Sequence, residues 1–179
     1  AAVLAAAARR GIGEMDLGRL FKHLLTPGWW ARRAFRAADR EAIRAAVAAS
    51  ELGHRGELRF VAEGPLPLLA LLKGRTARQR AVDLFDRLGV AGTREASGIL
   101  IYLQLVDRRV EILADRGIAA RVAQPEWDRI CREMETAFSH GAYRRGALEA
   151  IDRATRLLSL YFPARPDNPN ELDDRPELF

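Results

Sequence analysis

The chain has 179 residues and a mass of 20.0 kDa, enough for one compact domain with a sizeable core. Hydrophobic residues make up 49% and charged residues 30%, which excludes wholesale disorder, and the single cysteine excludes a disulfide framework or a cysteine-rich zinc site. The net charge of +5 is confined to residues 1–55, which hold ten Lys/Arg against five acids. The rest is balanced and alternates in sign, as in Asp107-Arg108-Arg109-Val110-Glu111, so no basic stripe for nucleic acid is expected.

No apolar run reaches the length of about 20 residues that spans a bilayer. Residues 1–14 are Ala-rich, with Arg9-Arg10 after the apolar part, the wrong order for a secretory signal. They read as a leader or an added segment outside the fold. Residues 15–37 form a basic aromatic segment. Leu17, Leu20, Phe21, Leu24 and Leu25 follow helical spacing, and Pro27-Gly28 interrupts it. The stretch 17–36 carries five Lys/Arg, no acid and two of the three tryptophans.

The main domain is expected over 38–164. A helix runs from Asp39 to Glu51, with Ile43, Ala46, Val47 and Ser50 inward. Glu57 to Glu63 reads as a first strand, ended by Gly64-Pro65. Leu66 to Leu72 makes one or two helical turns. Thr76 and Gln79 form a capping box opening a helix with Ala81, Leu84, Phe85 and Leu88 on one face, and Gly89 closes it. Gly98 to Leu105 is almost continuously apolar, as in a strand buried on both faces, and Arg109 to Ala114 completes a hairpin with it. Pro125 opens a helix with Trp127, Ile130, Cys131, Met134 and Phe138 on its stripe. Another helix carries Leu148, Ile151, Thr155, Leu158 and Phe162 up to Pro163. The tail 165–179 is proline-bearing and acidic, and is expected to be extended along the surface or mobile. Strand, helix, strand requires a parallel crossover, so the fold class is α/β: a three-layer α/β/α sandwich on a small mixed sheet, with an extra N-terminal helix.

Standard catalytic signatures are missing: no Gly-x-Ser-x-Gly elbow, Walker loop or His-Glu-x-x-His. Cys131 sits on an apolar stripe, as a buried, inert thiol does. His23, His54 and His140 have no ligand spacing, and His54 reads first as a surface-turn residue.

Gly98-Ile99-Leu100-Ile101-Tyr102, Asp107-Arg108-Arg109-Val110-Glu111-Ile112 and Asp115-Arg116-Gly117-Ile118, in this order, resemble the centre of a TPM domain. Arg55-Gly56-Glu57, Arg80-Ala81-Val82, Leu88-Gly89-Val90, Trp127, Phe138, Gly141, Tyr143, Gly146, Tyr161-Phe162-Pro163 and Asn170-Glu171-Leu172 complete the ordered series. The resemblance covers about residues 50–172 and is strongest to the short bacterial branch without signal peptide or transmembrane helix. It implies an α/β/α fold, acid phosphatase activity in some members, and binding of calcium or other divalent ions in some.

With the first two strands parallel, one end of the sheet gathers Glu63 and Asp107. The other gathers His54, Arg55, Thr93, Glu95, Ser97, Asp115 and Arg116. Asp115, Thr93, Glu95, Ser97, Arg116 and His54 are therefore the metal or ligand candidates, an oxygen-rich set suited to Ca2+ or Mg2+. The same residues also read as solvated loop charges, with Asp115 capping the next turn. Arg109 and Glu111 are expected to be partly exposed neighbours. In the front segment, Phe21, Trp29, Trp30, Arg32, Arg33, Phe35 and Arg36 are the candidate surface for an anionic membrane or a membrane-protein partner. The alternative is that the tryptophans fill the edge of the sandwich. The functional expectation is a binding or accessory module in the cytoplasm, peripheral at the bacterial inner membrane. A divalent-metal-dependent acid phosphatase is the alternative.

Overall fold

The computed structural model describes residues 16–165 and 172–179. The expected leader and positions 166–171 of the tail lie outside the described residues. In chain order the helices are α1 (Leu17–Leu25), α2 (Trp30–Ala34), α3 (Ala37–Glu51), α4 (Leu68–Leu72), α5 (Ala77–Arg87), α6 (Arg116–Ala119), α7 (Gln124–Ser139) and α8 (Tyr143–Tyr161). The strands are β1 (Leu58–Glu63), β2 (Ile99–Gln104), β3 (Arg109–Ala114) and β4 (Glu177–Leu178), paired in the order β3-β2-β1-β4.

β1 and β2 are parallel, with Leu58 opposite Ile99 and Glu63 opposite Gln104. β3 returns antiparallel to β2, with Tyr102 opposite Glu111. Every residue of β1 and β2 is buried, the physical reason the β2 sequence runs almost wholly apolar instead of alternating, while in β1 Arg59 and Glu63 are buried against partners. Phe60, Ile101, Leu103 and Ile112 meet α3, α7 and α8 through Ile43, Ile130, Met134 and Ile151 on one face. Val61, Leu100 and Leu113 meet Ala81, Leu84 and Phe85 of α5 on the other. The α/β/α sandwich follows.

Local signals act where the spacing puts them. The Thr76 hydroxyl accepts the Gln79 N–H at 3.1 Å, and the Gln79 side chain accepts the Thr76 N–H at 3.0 Å. Gly89 then takes φ 73°, a left-handed conformation that ends α5 without the Cβ penalty.

The end of the tail is extended, as expected, and it also joins the sheet. Its last residues form β4, parallel to β1: the Phe179 N–H donates to Ala62 O at 3.1 Å, and the Gly64 N–H donates to Phe179 O at 2.8 Å. An uncovered β1 edge offers unpaired backbone groups, and two residues satisfy part of it. So short a strand leaves no periodic signature.

Candidate functional site

The two ends of the sheet differ in kind. At the Asp115 end the sequence-predicted residues do converge, but by packing against one another. The Ser97 N–H donates to Thr93 Oγ1 at 3.0 Å, Arg55 pairs with Glu95, and Ser97 Oγ reaches Arg55 O at 3.4 Å. Gly117 sits so close to this loop that a Cβ there would lie 2.3 Å from Glu95 O, so only glycine fits.

Asp115 is only 4% exposed, not a solvated loop carboxylate. Its Oδ1 accepts the Arg116 N–H at 2.6 Å, capping α6, while Oδ2 is buried without a hydrogen-bond partner. His54 is fully buried rather than in a surface turn, because it bridges to Pro163 and its Nδ1 lies 2.9 Å from Gly56 O. Burial holds its imidazole below its ordinary pKa. Arg116 is exposed. Calcium takes six to eight oxygens, whereas this cluster offers Asp115 Oδ2 among donors already engaged. Among the described residues no group of three His, Cys, Asp or Glu gathers as a metal set.

Of the expected Arg109–Glu111 neighbours, Glu111 is buried instead of partly exposed, and each has a further partner. Glu111 is 6% exposed and pairs with Arg78 of α5 at 3.3 Å, whereas Arg109 turns to Glu135 of α7 at 4.0 Å. Burial raises the Glu111 carboxyl, and Arg78 opposes that rise. Cys131 is buried, and burial pushes its thiol up to about 12, consistent with an inert group.

The carboxyl ends of β1 and β2 hold two arrangements that no short motif signals. In the first, Arg80 Nε and Nη2 grip both oxygens of buried Glu63 at 2.7–3.1 Å, and the Tyr102 hydroxyl donates to Glu63 Oε2 at 2.7 Å. Burial, reinforced by the Glu63 charge, holds the Tyr102 phenol far above its ordinary range. This closed triad ties α5 to the sheet.

The second arrangement seats α1. Asp16 caps the helix by accepting the Arg19 N–H at 3.1 Å. Arg19 Nε and Nη2 then reach the Asp107 carboxylate at 2.8–3.1 Å. His23 is buried, its Nδ1 accepting the Leu66 N–H at 2.9 Å, so Nε2 carries the proton toward Asp107 Oδ1 at 3.1 Å. Burial works to raise the Asp107 carboxyl, but the His23 and Arg19 hydrogen bonds outweigh it and bring it down to about 2.

With its polar side turned inward, α1 points its apolar side away from the domain. Leu17, Phe21, Leu24 and Leu25 are 58–79% exposed, as is Trp29 at 56%. Lys22, Arg32, Arg33 and Arg36 are exposed around them, and the Arg33 guanidinium lies 5.8 Å from the centre of the Trp29 ring. Two predicted members behave differently. Trp30 is half-buried against the core. Phe35 is fully buried and cannot face a partner: it makes edge-on contacts with Phe60 at 5.6 Å and Tyr143 at 5.8 Å.

No helix among the described residues is long and apolar enough to cross a membrane. A search of curated proteins returns no match. Among solved structures, the NMR structure of BA42 protein from the psychrophilic bacterium Bizionia argentinensis is similar, with 27% identity and a TM-score of 0.71 over 81% of this chain and 95% of that one. The family profile described as TPM domain matches residues 31–157, from within α2 into α8, and with that span the chain belongs to the TPM domain family.

Proposed function

We propose that this TPM domain is a binding module that docks on an anionic membrane surface through α1 and α2. The observation that carries the reading is the reversed seating of α1: Arg19 and His23 are held by Asp107, while Leu17, Phe21, Leu24 and Leu25 face outward. A lone exposed leucine is ordinary, but an apolar helix face of four large side chains kept outward by a part-buried ionic anchor is a surface prepared for contact. Lys22, Arg32, Arg33 and Arg36 frame it, and each basic residue near an anionic leaflet contributes about 1 kcal/mol. Trp29 suits the headgroup level.

Sedimentation of the full chain with vesicles of phosphatidylglycerol, against vesicles of phosphatidylcholine alone, tests the reading. Binding should require the anionic lipid, weaken with salt, and fall sharply in a Phe21→Ser, Leu25→Ser variant that keeps its fold. Equal pelleting of that variant and the parent would remove the proposal.

A second reading, divalent-metal-dependent phosphate ester hydrolysis, is favoured by one observation, the buried and unpartnered Asp115 Oδ2. An assay with a generic phosphate ester, with and without calcium, magnesium or manganese, separates the two. Turnover that survives repurification and vanishes in Asp115→Ala would replace the binding reading.

A further inference from the structure

Beside the docking face, α2 and the turn between α7 and α8 enclose a cleft of about 820 Å3. Four arginines line it, Arg33, Arg36, Arg144 and Arg145, against two acids, Asp39 and Glu149. The acids are partly engaged: Asp39 accepts the Arg36 backbone N–H at 3.0 Å, and Glu149 lies 3.9 Å from Arg145 Nε. Among the described residues, neither Arg36 nor Arg144 has a carboxylate within ion-pair distance of its guanidinium, so two planar cations face one concave space uncompensated. α8 opens at the same place with no acid in its first turn, which adds to the positive potential.

Trp30 and Tyr143 wall this cleft and also a second chamber of about 420 Å3, where Leu103, Leu105 and Phe138 lie beside Arg108, Arg109 and Glu135. Two compartments of mixed charged and apolar lining therefore share an aromatic sill. Their volumes fall in the range of small-molecule sites, about 300–1,000 Å3. Arg33 lines the first compartment while lying over Trp29, so the cleft adjoins the proposed membrane-facing surface.

We propose that this cleft binds the phosphodiester headgroup of a single anionic phospholipid, with Arg36 and Arg144 on the phosphate and the adjoining glycerol and upper chain against Trp30 and Tyr143. Guanidinium groups match phosphate oxygens two at a time, which a diffuse basic surface does not require. The choice of a lipid over a free phosphate rests on the membrane reading of α1; the cleft itself does not.

The test is calorimetric titration of the full chain with monomeric dihexanoylphosphatidylglycerol, which needs no bilayer. An Arg36→Ala, Arg144→Ala variant, altered only at exposed side chains, should bind it about tenfold or more weakly. The Phe21→Ser, Leu25→Ser variant should bind the short-chain lipid normally while losing vesicles. Unchanged affinity in the arginine variant, or equal binding of dihexanoylphosphatidylcholine, overturns the site. Displacement of the lipid by an equal concentration of inorganic phosphate overturns the lipid assignment. Loss of vesicle binding with short-chain lipid binding intact in the parent chain overturns the membrane reading of α1 and leaves the cleft standing.

Discussion

Arg19 grips Asp107 with two N–H groups across 88 residues of sequence, and this pairing fixes which side of α1 meets the domain. The helix is amphipathic, yet its polar side is the one that is seated.

The anchor should be acid-labile. Asp107 is held at about 2, below its ordinary 3.8. A carboxyl depressed on folding contributes stability that is present above its unfolded pKa and is lost as pH falls through the folded one. The contribution, about 1–2 kcal/mol, should therefore disappear between roughly pH 4 and pH 2. Amide hydrogen exchange in α1 should accelerate over that window, and Asp107→Asn should exchange fast already at pH 6. Protection that is identical in the two proteins at pH 6 would refute the anchoring role.

Phe35 and Phe21 should part company in a denaturation series. Phe35 is fully buried among Phe60, Phe138 and Tyr143, so Phe35→Ala should cost about 3–5 kcal/mol. Phe21 is 61% exposed, and Phe21→Ala should stay within about 0.5 kcal/mol. Urea midpoints of the two variants give the comparison directly.

Glu51 at the end of α3 should make the protein less stable in alkali. Burial, then its hydrogen bond with Asp174 and the nearby Glu57 charge, push its carboxyl up to about 9. The native state thus holds a proton that the unfolded chain releases near pH 4.5, and stability declines as pH rises between those values. The melting temperature should fall from pH 5 to pH 9, and Glu51→Gln should flatten the fall and gain about 1–2 kcal/mol at pH 8. A melting temperature as steep in the variant as in the parent would count against this assignment.

The Glu63 triad should behave as a unit. Glu63→Ala strands Arg80 and the buried Tyr102 hydroxyl together, at a cost of about 3–5 kcal/mol. Tyr102→Phe removes one donor and should cost about 1–2 kcal/mol. In a double-mutant cycle the two losses should not add, because both report on the same carboxylate.

Much of the sandwich was legible because its determinants are local. The apolar run Ile99 to Leu103 announced a doubly buried strand, and Thr76 with Gln79 announced where α5 begins. The features left open or misread depend on partners far along the chain. Periodicity revealed that α1 has two faces but not which one docks, since the deciding carboxylate, Asp107, comes after β2. Phe35 lies within a basic aromatic run, and only the long-range arrival of Phe60, Phe138 and Tyr143 makes it core. The residues around Asp115 were correctly gathered by strand direction, but their mutual engagement depends on loop packing, including the close approach at Gly117.

The seating of α1 also sets how a tethered molecule would carry mechanical load. A pull on α1 can travel along the linker through α2 to α3, or across the Arg19–Asp107 bridge into the turn between β2 and β3. The second route ends on the hairpin in which six residue pairs join the edge strand β3 to β2. Tension at a docked surface would thus reach the sheet through the bridge to Asp107 as well as through the chain.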